Sequence, residues 1–256
     1  MVKEELNKKV DELFQYRHIP ELLHYSNIKG LDSFNNKLKK LQFAIYYLDH
    51  YLESNWKIRK TELNRFWKDI YQSLTEFGIL KKDAPDLCKQ IGKYQSHESN
   101  MRLGKWPTSY KFKYLYYYKS CDVKLMRRLI YMEAPQLKAK IKEPDWRYYD
   151  YITEINDDVQ DVFEDMKTIN GNRFLISILQ TGSRNTQQEF ISELRLLNKE
   201  INAHFKGKKK TEETQQLIKW TKTRLDETIL LVKEQLSLKK IEQLPKSIIS
   251  QYLTKQ

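Results

Sequence analysis

The chain has 256 residues and a formal net charge of +12, with 46 Lys and Arg against 34 Asp and Glu. That length suits one large domain or two small ones. No run reaches the roughly 18 apolar residues of a membrane span, and the charged start Met1-Val2-Lys3-Glu4-Glu5-Leu6 does not fit a secretory signal. Cys88 and Cys121 form neither a metal spacing nor a disulfide framework, so a reducing, cytoplasmic location is expected. Hydrophobic content of 40% suffices for a core, and only 7 Gly and 6 Pro argue for long helices and short loops. The positive charge fits nucleic acid, an anionic membrane surface, a phosphorylated substrate or simply solvated lysines. Its basic residues are scattered (Lys39-Lys40, Lys81-Lys82, Arg127-Arg128, Lys208-Lys209-Lys210, Lys239-Lys240) and make no long arm. No nucleic-acid partner is expected.

Residues 2–16 read as an amphipathic helix with Val2, Leu6, Val10, Leu13 and Phe14 on one stripe. A short segment opens at Pro20, and Asn27 to Gly30 reads as a turn. Asp32 or Ser33 can cap a helix running through Phe34, Leu38, Leu41, Ile45 and Leu48 to about Trp56. Near its end Asp49 and Glu53 stand four residues apart, on one helical face; any exposed helix offers such pairs. Residues 61–78 make another amphipathic helix, with Gly78 as its C-terminal cap. A short helix follows over 83–94, and 95–108 is the most loop-like stretch, a lid or a connection.

Tyr110 to Met132 reads as one aromatic-rich helix with Lys119-Ser120 in its middle. Its rings either pad a core or line an apolar pocket whose π faces stabilise a cation. Pro135 and Pro144 bracket a connection to a helix over 145–166. Asn170-Gly171-Asn172 breaks that helix, and Arg173 follows. Further helices are expected over 185–204 and 211–236, joined by the basic loop 206–210, and over 245–254 from Pro245. No strand pattern, repeat, phosphate-binding glycine loop or zinc spacing appears.

The most informative stretch is Glu154-Ile-Asn-Asp157-Asp158-Val-Gln-Asp161-Val-Phe163-Glu-Asp165. On a helix, Asp157, Asp161 and Asp165 fall one turn apart on one face, with Asp158 beside them. Like charges at that spacing repel, so a positive partner is called for. Two readings stand: a solvated acidic face, or a site for a hard divalent cation, which takes carboxylates together with substrate phosphates. The apolar and aromatic flanks, and the basic character of the rest of the chain, weigh toward the second.

Asp157-Asp158-Val-Gln-Asp161-Val-Phe-Glu-Asp165 resembles the second aspartate-rich motif, DDxxDxxxD, of the trans-isoprenyl diphosphate synthase and class I terpene synthase family. Lys119-Ser120-Cys-Asp-Val-Lys-Leu125 looks like the family's Lys-Thr-x-x-x-Leu element, at about the family's distance from the acidic motif. Asp49-His-Tyr-Leu-Glu53 falls where the first acidic motif belongs, and Arg59 and Lys60 about where a basic pair follows it. Asn170 to Leu175 resembles a shortened version of the next loop. The similarity spans roughly residues 35–256, and only the second acidic motif is specific. The chain departs in its first motif, where Leu48 replaces an aspartate, and it lacks the Gly-Gly-Lys-Arg-x-Arg-Pro element that holds isopentenyl diphosphate.

The resemblance implies a single all-α domain over 1–256, an antiparallel helix bundle with a central apolar cavity. It implies two or three Mg²⁺ ions, held by Asp49 and Glu53 on one helix and by Asp157, Asp158, Asp161 and Asp165 on a facing one. Lys119 and Arg173, and less directly Arg59 and Lys60, would meet the diphosphate of a prenyl diphosphate substrate. Tyr46, Tyr47, Tyr114, Tyr118 and Phe163 are expected to point inward. A homodimer is implied. The expected activity is that of a terpene synthase, a cyclase or lyase ionising one allylic diphosphate. The alternatives are a prenyltransferase condensing isopentenyl diphosphate with an allylic partner, and a non-catalytic helical binding subunit.

Overall fold

A computed structural model describes residues 3–207 and 210–236. Among these the fold is all-α, 80% helical and without strands. In chain order the helices are α1 (Lys3–Tyr16), α2 (Ile19–Ser26), α3 (Leu31–Ser54), α4 (Lys60–Thr75), α5 (Ala84–Leu87), α6 (Lys89–Met101), α7 (Phe112–Lys119), α8 (Cys121–Glu133), α9 (Leu137–Lys140), α10 (Arg147–Gln160), α11 (Val162–Asp165), α12 (Arg173–Thr181), α13 (Ser183–Phe205) and α14 (Glu212–Gln235). Single 3₁₀ turns stand at Pro107–Ser109 and Glu143–Trp146. None of the described helices is long and apolar enough to cross a membrane. The helix expected over 245–254 lies outside the described residues.

The chain forms two compact units, one of Met1–Gln95 with Cys121–Glu143, the other of Ser96–Ser120 with Pro144–Gln256. In the first, α3 packs on α4, α1 and α8, and α2 packs on α1 and α8. The apolar stripes of Leu6, Val10 and Phe14 on α1, Leu38, Leu41, Ile45 and Leu48 on α3, and Met126, Leu129 and Ile130 on α8 supply its core. The turn before α3 is built on left-handed residues, Asn27 at φ 53° and Gly30 at φ 68°. Gly30, and neither Asp32 nor Ser33, is therefore the N-cap. Gly78 ends α4 as expected: its N–H meets the Thr75 carbonyl at 3.0 Å and that of Ile79 meets Leu74 at 3.4 Å. Asp49, Glu53, Arg59 and Lys60 belong to this unit, the first two on α3, with Arg59 and Lys60 exposed at the start of α4.

In the second unit α10 is the central element. It packs on α14, α7, α12 and α13, and α12 packs on α13. Almost every residue from Tyr148 to Val159 is buried, polar ones included. Polar pairs tie this helix down: Asn156 Nδ2 donates to Thr228 Oγ1 at 2.9 Å, and the Tyr151 hydroxyl donates to Glu193 at 2.6 Å. The two long helices predicted here are each interrupted. The Tyr110–Met132 helix divides at Ser120, whose hydroxyl donates back to the Tyr116 carbonyl at 3.2 Å, the local competition for carbonyls typical of serine. The acidic helix bends at Asp161 (φ −90°, ψ 7°). Hydrogen bonds still run from Asp161 N–H to the Asp157 carbonyl and from Asp165 N–H to the Asp161 carbonyl, each 2.9 Å. The one-turn spacing of Asp157, Asp161 and Asp165 therefore survives the bend.

Candidate functional site: an acidic cluster around Lys119

The last turn of α7 presents Tyr116 and Lys119 three residues apart, on the face that meets α10. Both side chains converge on Asp158. The Tyr116 hydroxyl donates to Asp158 Oδ2 at 2.8 Å, and the Lys119 ammonium donates to Asp158 Oδ1. Asp158 is 2% exposed. Its Oδ2 also accepts the Arg173 backbone N–H at 2.9 Å, so the carboxylate closes the N-terminus of α12. Asp158 was expected among metal ligands. Both its oxygens, like those of Asp165 below, accept hydrogen bonds within the fold, here joining α7, α10 and α12.

The loop from α11 to α12 completes the arrangement. Asn172 is fully buried and caps α12, its side-chain oxygen accepting the Leu175 N–H at 2.8 Å. Its amide nitrogen reaches both the Asp158 carbonyl and Asp165 Oδ2, each at 2.7 Å. Asn170 Nδ2 donates to the other Asp165 oxygen at 2.9 Å. Asp157, Asp161 and Asp165 are half-buried, whereas Val159 and Val162 are in the core.

The stretch 95–108, expected to be loop, brings a residue the sequence reading passed over. It is helical as far as Met101, and Gly104 closes it at φ 77° with its N–H on the Met101 carbonyl at 3.0 Å. Ile91, Tyr94, Glu98 and Met101 recur at helical spacing, and with Gly104 as a stop they were the available signal. Glu98, 4% exposed, joins the cluster with its carboxyl against Gly171. Beside it, the His97 ring lies among Tyr110, Tyr114 and Tyr118, with centroids at 4.6, 5.3 and 5.3 Å.

Electrostatically the cluster has more carboxyl groups than cations. Burial alone would lower the Lys119 pKa, but Asp158, Glu154 and Glu98 hold the ammonium charged and push it well above the ordinary lysine range. The carboxyls respond in the opposite sense. Burial, with a contribution from the Asp158 charge, pushes Glu98 up to about 7 against the pull of Lys119, Arg102 and the Gly171 N–H. Burial and the charges of Asp157 and Glu164 push Asp161 up to about 6. Burial pushes Asp165 up to about 7, opposed by its Asn172 bond and Lys119.

Other expected site residues fall elsewhere. The Arg173 guanidinium, expected to meet a diphosphate, is turned away from Asp158. It donates to the Pro107 carbonyl at 3.1 Å, the Tyr110 carbonyl at 2.5 Å and Glu189 at 2.8 Å, and lies 3.9 Å from the centre of the Phe112 ring. These bonds make it a strut of the fold. Lys119, also expected on the diphosphate, is paired with Asp158 and only 11% exposed. Tyr47 and Tyr114, expected to point inward, are 46% and 38% exposed, whereas Tyr46, Tyr118 and Phe163 are half-buried.

No protein-family model, curated protein or solved structure matches this chain.

The donor set suits a hard cation in kind: carboxylate oxygens, in excess over positive charge, with no sulfur or imidazole required. Among the described residues no three His, Cys, Asp or Glu side chains are gathered as a ready-made metal cage.

Proposed function

We propose that the chain is a Mg²⁺-dependent class I isoprenoid synthase that ionises a single allylic prenyl diphosphate, a terpene synthase rather than a prenyltransferase. The observation that carries this reading is the acidic face Asp157–Asp161–Asp165, kept in one-turn register, with burial pushing Asp161 and Asp165 up to about 6 and 7. Asp157, Asp161 and Asp165 would hold Mg²⁺, which supplies the positive charge that a departing diphosphate needs.

The chain's own residues do the rest. Lys119 and Tyr116 hold Asp158 and so fix the acidic helix against α7. Asn170 and Asn172 orient the Asp165 carboxylate. The rings of His97, Tyr110, Tyr114 and Tyr118 pack together beside Glu98, and rings of this kind would stabilise a carbocation. Arg173, a basic residue expected to meet a diphosphate, is already bonded within the fold. The missing isopentenyl-diphosphate element favours one substrate over two. A homodimer remains the proposed assembly.

The test is diphosphate release with Mg²⁺ from geranyl, farnesyl and geranylgeranyl diphosphate, each with and without isopentenyl diphosphate, followed by product analysis. Release without isopentenyl diphosphate, giving a hydrocarbon or alcohol, is the expected result, and Asp161→Asn should abolish it while leaving the helical content intact. Release only in the presence of isopentenyl diphosphate would replace this reading with the prenyltransferase. No release from any combination would remove both.

A further inference from the structure

The Glu98 carboxyl lies where a Gly171 side chain would start. The Gly171 backbone lies outside the left-handed region that favours glycine. A Cβ placed there would stand 2.2 Å from Glu98 Oε1, 3.0 Å from Cδ and 3.2 Å from Oε2. Heavy atoms do not approach that closely without something moving. The contact is attractive on the backbone side, because the Gly171 N–H bonds to the Glu98 carboxyl. Glu98 Oε2 has no hydrogen-bond partner among the described residues. On either side of Gly171 stand Asn170 and Asn172, which bond the two oxygens of Asp165 at 2.9 and 2.7 Å. Asn172 also caps α12 through the Leu175 N–H at 2.8 Å.

We infer that Glu98 is a positioning residue: it clasps the Asn170–Asn172 turn at Gly171 and through the two asparagines sets the direction of the Asp165 carboxylate. The link to a metal rests on the function proposed above, whereas the clasp does not. A carboxyl on α6 thereby governs a carboxylate at the end of α11, a coupling carried by contiguous hydrogen bonds. Removing the carboxyl or adding a methyl group at 171 breaks the same contact from opposite sides. Their effects must therefore overlap rather than add.

The experiment is a cycle in the full-length chain of Glu98→Ala, Gly171→Ala and the double variant, with Glu98→Gln as the conservative replacement. The first readout is hydrogen exchange of the Leu175 amide, the reporter of the Asn172 cap. Each single variant should speed exchange at least tenfold, the double should stay within twofold of Glu98→Ala, and Glu98→Gln, whose amide oxygen still accepts from Gly171, should stay within threefold of the parent. The second readout is Mn²⁺ affinity by calorimetry, expected to weaken at least fivefold in both single variants and to be retained in Glu98→Gln. Multiplicative effects in the double variant, or a Glu98→Gln as impaired as Glu98→Ala, would overturn the clasp. Faster exchange with unchanged Mn²⁺ affinity would overturn the positioning role. A parent chain that binds no Mn²⁺ would remove the metal reading, and the exchange cycle alone would then decide the clasp.

Discussion

Replacing Lys119 by methionine removes the cation from the centre of the cluster while keeping a side chain of similar length. Asp158 would remain 2% exposed with its ionic partner gone. Breaking a buried pair from one side costs about 3–5 kcal/mol, because a buried charge is left uncompensated. Asp158 keeps its bonds from the Tyr116 hydroxyl and the Arg173 N–H, which places the expected loss near the lower end, about 3 kcal/mol. The loss should depend on pH. Lys119 also lowers the pKa values of Glu98, Asp161 and Asp165, which are pushed up to about 7, 6 and 7. Those groups are largely protonated at pH 5 and ionised at pH 8, so the missing ammonium should be felt more at pH 8. Urea unfolding followed by far-ultraviolet circular dichroism at both pH values measures this. Adding Asp158→Asn to Lys119→Met removes the uncompensated charge and should recover about half of the loss. A loss below about 1 kcal/mol for Lys119→Met, or strict additivity in the double variant, would refute a buried ion pair at this position.

The parent chain carries a pH dependence of its own. Glu98, Asp161 and Asp165 all titrate higher in the folded state than their ordinary values of 4.5, 3.8 and 3.8. The folded state therefore binds more protons, and stability should fall as pH rises from about 4 to about 7. For Glu98 alone the rise to about 7 corresponds to about 3 kcal/mol. Millimolar Mg²⁺ should raise the melting temperature at pH 8 and leave it nearly unchanged at pH 5; equal effects at both would exclude these carboxyls as its site. Arg173→Lys should cost about 2 kcal/mol, since an ammonium cannot span Pro107, Tyr110 and Glu189 as the guanidinium does. Lost turnover with unchanged stability would instead restore Arg173 as a diphosphate ligand.

The all-α class was legible from composition and periodicity, since so few glycines and prolines across clear helical stripes leave little room for anything else. The sequence by itself determined the acidic register, because a spacing of four residues is one helical turn wherever the helix goes, and a bend at Asp161 that keeps its hydrogen bonds does not disturb it. The pairing of Lys119 with the acidic helix was legible only as an order of motifs; which aspartate it meets was not.

That choice belongs to the tertiary structure. Asp157 and Asp158 are neighbours in sequence but about 100° apart around the helix, and only the packing of α7 against α10 decides that Asp158 is the buried one. The same holds for Arg173, whose guanidinium could serve a ligand or the fold until the Pro107 and Tyr110 carbonyls are brought beside it. Glu98 lay in a stretch with no acidic pattern, far along the chain from Gly171. Its role exists only because folding brings a carboxyl to within a bond's reach of a backbone that has no side chain in the way. Local periodicity is a property of the chain, whereas the partner of a buried charge is set by which helices meet.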